Sequence, residues 1–320
     1  MTAPLLLAAA PLRSTHNVAN AQRPTSVRVS ADNDAFNFWV PPWARPDEEY
    51  TSGVRGSLEY QGPLKWWPWT RVGRDTSGTS RHTFSLGQDI YTNPLAYDPK
   101  LLARYRPGTY RPNSAWLFLE AAQCDSSGDG WTELSIAAGV VGRPALGEQM
   151  QRFFHSLAPE FNRNLDWHRQ LPFEPGFITR YMRSDRVYGF GEGTRVSGTL
   201  ATEVSGALGT ILTEATGGAT AGMDWHIGSV PDTHMPIHLA LSVGVKGHLI
   251  ARDELLDGTL FSASESVKRN AFVYGDNAAI TLRVGPFAAH YRATRETRRY
   301  RDQFDPPRWG TLAVEWRIVS

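Results

Sequence analysis

The chain has 320 residues, and its 33 Lys and Arg against 32 Asp and Glu leave a formal charge of +1, which gives no electrostatic footprint for nucleic acid. Its single cysteine, Cys124, has no partner for an internal disulfide. No stretch approaches the ~18 apolar residues of a membrane-spanning helix, but a membrane β-barrel is not excluded, because only alternate residues of its strands face lipid.

Near the N-terminus a short apolar run, Pro4 to Ala10, precedes Ala19-Asn20-Ala21, which has the small-x-small form of a signal-peptidase site. Residues 1–25 are therefore set apart as an export signal or a disordered tail, and 26–320 as one domain. Val27-Arg28-Val29 alternates like a strand and runs into Asp32-Asn33-Asp34, where carboxylate and carboxamide groups replace a continuing apolar ladder. After this first segment near 26–32, period-two segments recur near 50–60, 81–91, 114–122, 131–140, 174–185, 194–204, 207–216, 237–250, 277–285, 287–299 and 308–318. About twelve strands bounded by Gly, Pro, Asn and Asp clusters read as a sandwich or barrel.

Long connections at 62–80, 92–113, 141–172, 217–235 and 251–276 alternate, with exceptions, with tight turns such as Gly191-Glu192-Gly193 and Gly285-Pro286. That is the build of an outer-membrane barrel. His238, Ala240, Ser242, Gly244 and Lys246 share one face of a strand whose other face carries Leu239, Leu241, Val243 and Val245, which predicts a polar, wet lumen inside an apolar wall. The fold expected is all-β: an antiparallel outer-membrane β-barrel of about twelve strands with a short helix in an extracellular loop. Tryptophans near strand ends, among them Trp39, Trp43, Trp66, Trp116, Trp309 and Trp316, suit interfacial girdles. Met150, Phe153, Phe154 and Leu157 stand at i, i+3, i+4 and i+7 and predict a helix over 147–157. Its stripe would lie against the barrel wall or a lipid chain, with His155 beside it.

Thr51 opens the second strand, which a hairpin brings beside Asn33-Asp34, so carboxylate, carboxamide and hydroxyl oxygens gather as a hard cation such as Ca²⁺ prefers. A His arriving from the helix adds a base poised near neutral pH. Cation, His and water suffice to hydrolyse an ester. The chain has no Gly-x-Ser-x-Gly elbow, no phosphate loop and no compact zinc spacing.

Six ordered pieces carry a resemblance to a known family: Asp32-Asn33-Asp34-Ala35-Phe36; Tyr50-Thr51-Ser52-Gly53; Gly87-Gln88-Asp89-Ile90-Tyr91-Thr92; Gln149-Met150-Gln151 with His155; Trp167 with Gln170 and Pro175-Gly176; and Leu256-Asp257-Gly258-Thr259 with Ser264 and Ser266-Val267. In these, from residue 27 nearly to the C-terminus, the chain resembles the LpxR-type lipid A deacylases of the bacterial outer membrane. The resemblance implies a Ca²⁺-dependent hydrolase that removes the 3′-linked acyloxyacyl chain from the lipid A of lipopolysaccharide. Its site would lie at the outer-leaflet end of the barrel, between the wall and a loop helix. By the same resemblance His155 is the general base that activates water, Asp34 and Thr51 ligate the metal, and Glu160 completes the metal's charge or orients His155. Asn33 positions metal or oxyanion, and Glu160 stands one residue short of the family's spacing. Lys100 and Arg104 would contact lipid A phosphates, while Gln88, Asp89 and Tyr91 match without a role and are expected to pack inside the barrel. The protein would be a monomer surrounded by outer-membrane lipid. The alternatives are the same barrel without catalysis, structural or a small pore, and a soluble periplasmic sugar-binding β-protein.

Overall fold

The structure is a computed structural model and describes residues 23–38, 50–62, 64, 78–93, 106, 108–128, 130–157, 167–231 and 233–318. Within these, the strands are β1 (Ser26–Asn33), β2 (Tyr50–Gln61), β3 (Thr79–Tyr91), β4 (Ser114–Ser127), β5 (Gly130–Val141) and β6 (Glu174–Phe190). They continue as β7 (Val196–Gly209), β8 (Leu212–Ser229), β9 (Pro236–Asp253), β10 (Phe272–Val284), β11 (Phe287–Glu296) and β12 (Arg308–Arg317). Each pairs antiparallel with its chain neighbour, and β1 pairs with β12, from Ser26 opposite Arg317 to Asn33 opposite Gly310, which closes the barrel. Closure gives every strand two partners and removes the exposed edge that lipid cannot satisfy. Two helices join the strands, α1 (Gly147–Leu157) and α2 (Glu254–Asp257).

The export-signal reading of the N-terminus falls outside the described residues, although Thr25 already belongs to the barrel: its N–H donates to Glu59 O, and its own carbonyl accepts from Ile318 N. One strand is placed differently from the sequence reading. Expected near 207–216 with a connection over 217–235, β8 runs from Leu212 to Ser229, and the turn before it is only Thr210 and Ile211. Gly217-Gly218 looks like a turn in isolation but lies in full register between β7 and β9. The connection after β2, read with the long loops, springs from the rim that carries the short turns.

The faces alternate as the β9 pattern requires. Leu241, Val243 and Val245 are among the exposed large apolar side chains, whereas Ser242 is buried and Lys246 is ion-paired inside. An apolar outside over a charged inside inverts a soluble protein and suits a wall in hydrocarbon. Of the girdle tryptophans, Trp316 is exposed and stacks on Phe287. Trp116 and Trp309 instead point inward and join the buried cluster at the loop end, because the register puts them on the lumen face. Trp39, Trp43 and Trp66 lie outside the described residues.

The lumen is polar as expected, but side chains fill it. Ion pairs reach over an intervening strand: Arg55 on β2 to Glu120 on β4 at 3.3 Å, Arg283 on β10 to Glu315 on β12 at 3.3 Å, and Lys246 on β9 to Glu203 on β7. The residue beneath each bridge is small. Gly218 stands between Lys246 and Glu203, Ala288 between Arg283 and Glu315, and Gly87 beside Arg55. A void of ≈ 10 Å³ beside Arg55, Asp89 and Glu120 is room for about one water.

The mouth at the loop end is capped by α2. Leu255 enters the apolar cluster, Arg111 donates to its carbonyl at 3.3 Å, and the Arg111 guanidinium lies 4.1 Å from the Tyr91 ring centre. Glu254 beside it is fully buried, and neither carboxyl oxygen is hydrogen-bonded among the described residues. Burial first, and then the Glu174 carboxylate, push its carboxyl up to about 8, against the pull of Arg252.

Two outcomes follow from these contacts. A Cβ on Gly218 would stand 2.5 Å from Val245 O and 2.9 Å from Lys246 Cγ, whereas one on Gly217 meets nothing within 4 Å. Gly218→Val should therefore lower the temperature at which the folded band is lost on electrophoresis, and Gly217→Ala should not. The folded protein binds the Glu254 proton more tightly than an unfolded chain of pKa ~4.3, so this group's contribution to stability declines as pH rises from ~4.3 to about 8. Glu254→Gln should resist urea better than the native chain at pH 9 and equally at pH 4; equal midpoints at both would refute the buried neutral acid.

Candidate active site

β1 ends in an abrupt turn. Asn33 is still extended (φ −160°, ψ 145°), and Asp34–Phe36 then make one 3₁₀ turn in which the Ala35 N–H is shared between Asn33 Oδ1 at 2.7 Å and Asp34 Oδ1 at 2.8 Å. Asp34 is 4% exposed. The turn rests on the neighbouring strands: a Cβ at Gly310 would stand 2.3 Å from Phe36 O, so only glycine lets the turn sit down on β12. Tyr291 on β11 donates from its hydroxyl to the same carbonyl at 2.9 Å, and its ring packs 5.3 Å from that of Phe38.

The start of β2 carries a bulge at Thr51, since Tyr50 pairs with Tyr91 and Ser52 with Ile90. A bulge re-aims the strand locally and is a common device beside functional sites. The Thr51 side chain lies outside the described residues.

α1 spans the predicted residues and packs on the outside of the wall. Met150 meets a cluster of Ile90, Ala115, Ala145 and Trp167, with Leu117 and Val140 beside it. Gly147 allows the close approach: a Cβ there would stand 2.6 Å from both Ala115 Cβ and Trp167 Cη2. Gln88 points outward and donates to Ala145 O just ahead of the helix, which corrects its expected place inside the barrel; Asp89 and Tyr91 do face inward. Trp167 Nε1 donates to Gln151 Oε1 at 2.8 Å, and the chain beyond it returns along β4, with Asn113 N bonded to Arg169 O and Leu171 N to Asn113 O. The apolar stripe divides: Met150 faces the wall, and Phe153 and Phe154 are exposed. His155 is half-buried in the last turn of α1.

The structure thus places Asn33 and Asp34 at the end of β1, Thr51 at the start of β2, and the helix bearing His155 against the same end of β3 and β4. Ile90 links them, being opposite Ser52 on one side and under Met150 on the other. Glu160, Lys100 and Arg104 lie outside the described residues. Among the described residues no three His, Cys, Asp or Glu gather as a metal-binding set. Gln88, Gly147, Gly310 and Tyr291 position the site and were not singled out for that work by sequence.

Residues 3–318 match the family described as outer membrane protein LpxR. The chain belongs to the LpxR family. LpxR from Salmonella typhimurium shares this fold, with a TM-score of 0.73 at 19% identity over 92% of this chain and 100% of that one. The β domain of the Bordetella autotransporter Brka (TM-score 0.45, 9% identity, 92% of this chain and 99% of that one) and the translocator domain of NalP from Neisseria meningitidis (0.42, 12%, 94% and 90%) are too distant to argue from. A comparison with curated sequences gave no match. The LpxR family and its fold make this an outer-membrane protein and support a lipid A deacylase.

Because Gly147 and Gln88 hold α1 to the wall, Gly147→Leu should loosen the helix at a local cost of ~1–3 kcal/mol while leaving the strands paired. Trypsin added to intact cells should then cut after Arg152 faster than in the native protein, with the folded band unchanged on electrophoresis; unaltered cleavage would sink this account of the helix.

Proposed function

We propose that the protein is a Ca²⁺-dependent lipid A 3′-O-deacylase in which water activated by His155 attacks the ester of the 3′-linked acyloxyacyl chain. The observation that carries this reading is the buried Asp34 turn at one end of β1, with the helix that presents His155 held on the outer wall two strands away. Family membership supplies the reaction class.

The residues fit a hard cation. Asp34 offers a buried carboxylate and Asn33 a carboxamide oxygen, and both belong to an oxygen-only set. Thr51 and Glu160 would complete that set. When bound, Ca²⁺ would supply positive charge to the developing oxyanion.

The rest is work for the protein. His155 takes the proton of the attacking water and returns it to the leaving alkoxide oxygen as the ester carbon–oxygen bond breaks. Products are the free acyloxyacyl acid, its secondary ester intact, and a lipid A 3′-hydroxyl, so atoms balance with one water consumed. Asn33 directs its amide at the carbonyl oxygen or holds the metal ligand in place. Lys100 and Arg104 would hold the sugar phosphates.

Lipid A extracted from cells making the native protein should lose the mass of one acyloxyacyl group. His155→Ala and Asp34→Asn should each cut the rate by about a hundredfold or more, the scale of removing a positioned base or charge. EDTA should abolish activity of the purified protein and Ca²⁺ restore it. If lipid A has the same mass with native protein and with His155→Ala, the barrel is not this hydrolase and a structural role remains.

A further inference from the structure

A groove of ≈ 740 Å³ crosses the outer wall on the far side of the Asp34 turn from α1. Its floor is a single row of the sheet: Ala221 pairs with Val243, Val243 with Ala278, Ala278 with Ala293, and Ala293 with Gly310. The row below carries large side chains, Met223, Leu241, Ile280 and Leu312, all exposed, and forms a ledge. From Ala221 to Ala293, three strand spacings of ~4.8 Å make the open floor roughly 14 Å long, and strand tilt sets it oblique to the membrane plane.

The row above the floor is charged. Asp276 pairs with Arg295, their side chains 2.7 Å apart, and Arg295 is opposite Arg308. The Arg308 side chain is exposed and makes no hydrogen bond or ion pair among the described residues. An acid balanced by one of two arginines leaves one positive charge over an apolar channel. That order, cation above and hydrocarbon floor beneath, complements a phosphorylated lipid.

The groove is continuous with the active site. Its last floor residue, Ala293, pairs with Gly310, which lies under Phe36 and opposite Asn33, and Asn37 lines the groove. The geometry points to a substrate subsite in which a second acyl chain of the same lipid A, not the one cleaved, lies along Ala221–Ala293 while a sugar phosphate sits on Arg308. This rests on the deacylase reading for the identity of the lipid, and on the wall for the place. Arg308 is a substrate-binding residue in this arrangement, and the two alanines Ala278 and Ala293 set the width that a chain can use.

The test measures binding apart from turnover. His155→Ala protein, full-length in detergent, is mixed with bis-phosphorylated hexa-acylated lipid A, with the same lipid stripped of phosphate, or with phosphatidylglycerol, and retained lipid is read by native mass spectrometry. Adding Ala293→Trp or Arg308→Glu should weaken retention of lipid A about tenfold, the scale of one charge-assisted contact or a blocked apolar slot. Removing phosphate should weaken it equally in the parent and have no further effect with Arg308→Glu. In the His155 protein, Arg308→Glu should raise KM with little change in kcat. Ala278→Leu, in the same row, serves if the tryptophan variant does not fold. Undiminished retention in the groove variants, or phosphatidylglycerol held as well as lipid A, overturns the subsite even if deacylation is observed. Absence of deacylation by native protein defeats the functional reading instead, while the retention series still decides the groove.

Discussion

Three ion pairs inside the barrel, those of Arg55, Lys246 and Arg283, reach over a strand rather than to the next one, and this constrains the sequence beneath them. Arg55, Lys246 and Arg283 each cross a neighbour whose residue at that level is Gly or Ala: a Cβ on Gly218 would meet the Lys246 stem at 2.9 Å, and one on Gly87 would meet the Phe118 ring that lies beside Arg55. Once crossed, the two charges satisfy each other where water is scarce, and losing one partner leaves the other buried at a cost of about 3–5 kcal/mol. The inside of the barrel is therefore committed to holding itself together. Neither a channel nor a roomy pocket fits among the described lumen residues, so chemistry and ligand binding fall to the outer wall and the loop end.

The same constraint explains which parts of the fold could be read from sequence. The alternation in β9 shows both faces at once, since its wall residues are Leu and Val and its lumen residues are His, Ser, Gly and Lys. In β8 the lumen and wall positions both fell to small residues, Gly218 for space inside and Gly217, Ala219 and Ala221 along the wall, so the strand lost its period and resembled a loop. α1 was legible to the residue because a 3.6-residue period is local. What the helix touches was not: Gln88 alternates with Asp89 on β3, and nothing local says that its outward face will be covered by a helix rather than by lipid.

The site shows the same division. Asn33 and Asp34 stand out as polar residues interrupting a strand, and the turn they make is fixed by hydrogen bonds only one and two residues away. The seat of that turn is supplied by Tyr291 and Gly310, more than 250 residues further along, brought there by closure of β1 on β12. A single sequence carries no record of that pairing. Gly310 and Tyr291 therefore read as ordinary strand residues until the register is known.

Asn33 shares its parity with Val29 on the wall face, while Asp32 shares the lumen face with Arg28, so the chain leaves β1 already pointing its last side chain outward. α1 also lies outside the wall, and its exposed Phe153 and Phe154, ring centres 5.7 Å apart, extend an apolar surface beyond it. On the proposed reading, a site bounded in this way would be entered sideways from the membrane, not down the barrel axis. A water-soluble ester would have to enter the hydrocarbon boundary to reach it, whereas a lipid of the outer leaflet meets it by lateral diffusion with its ester already near the right depth. The wall then does for substrate choice what a deep pocket does in a soluble enzyme: it admits molecules by the solvent they come from before any side chain tests their shape.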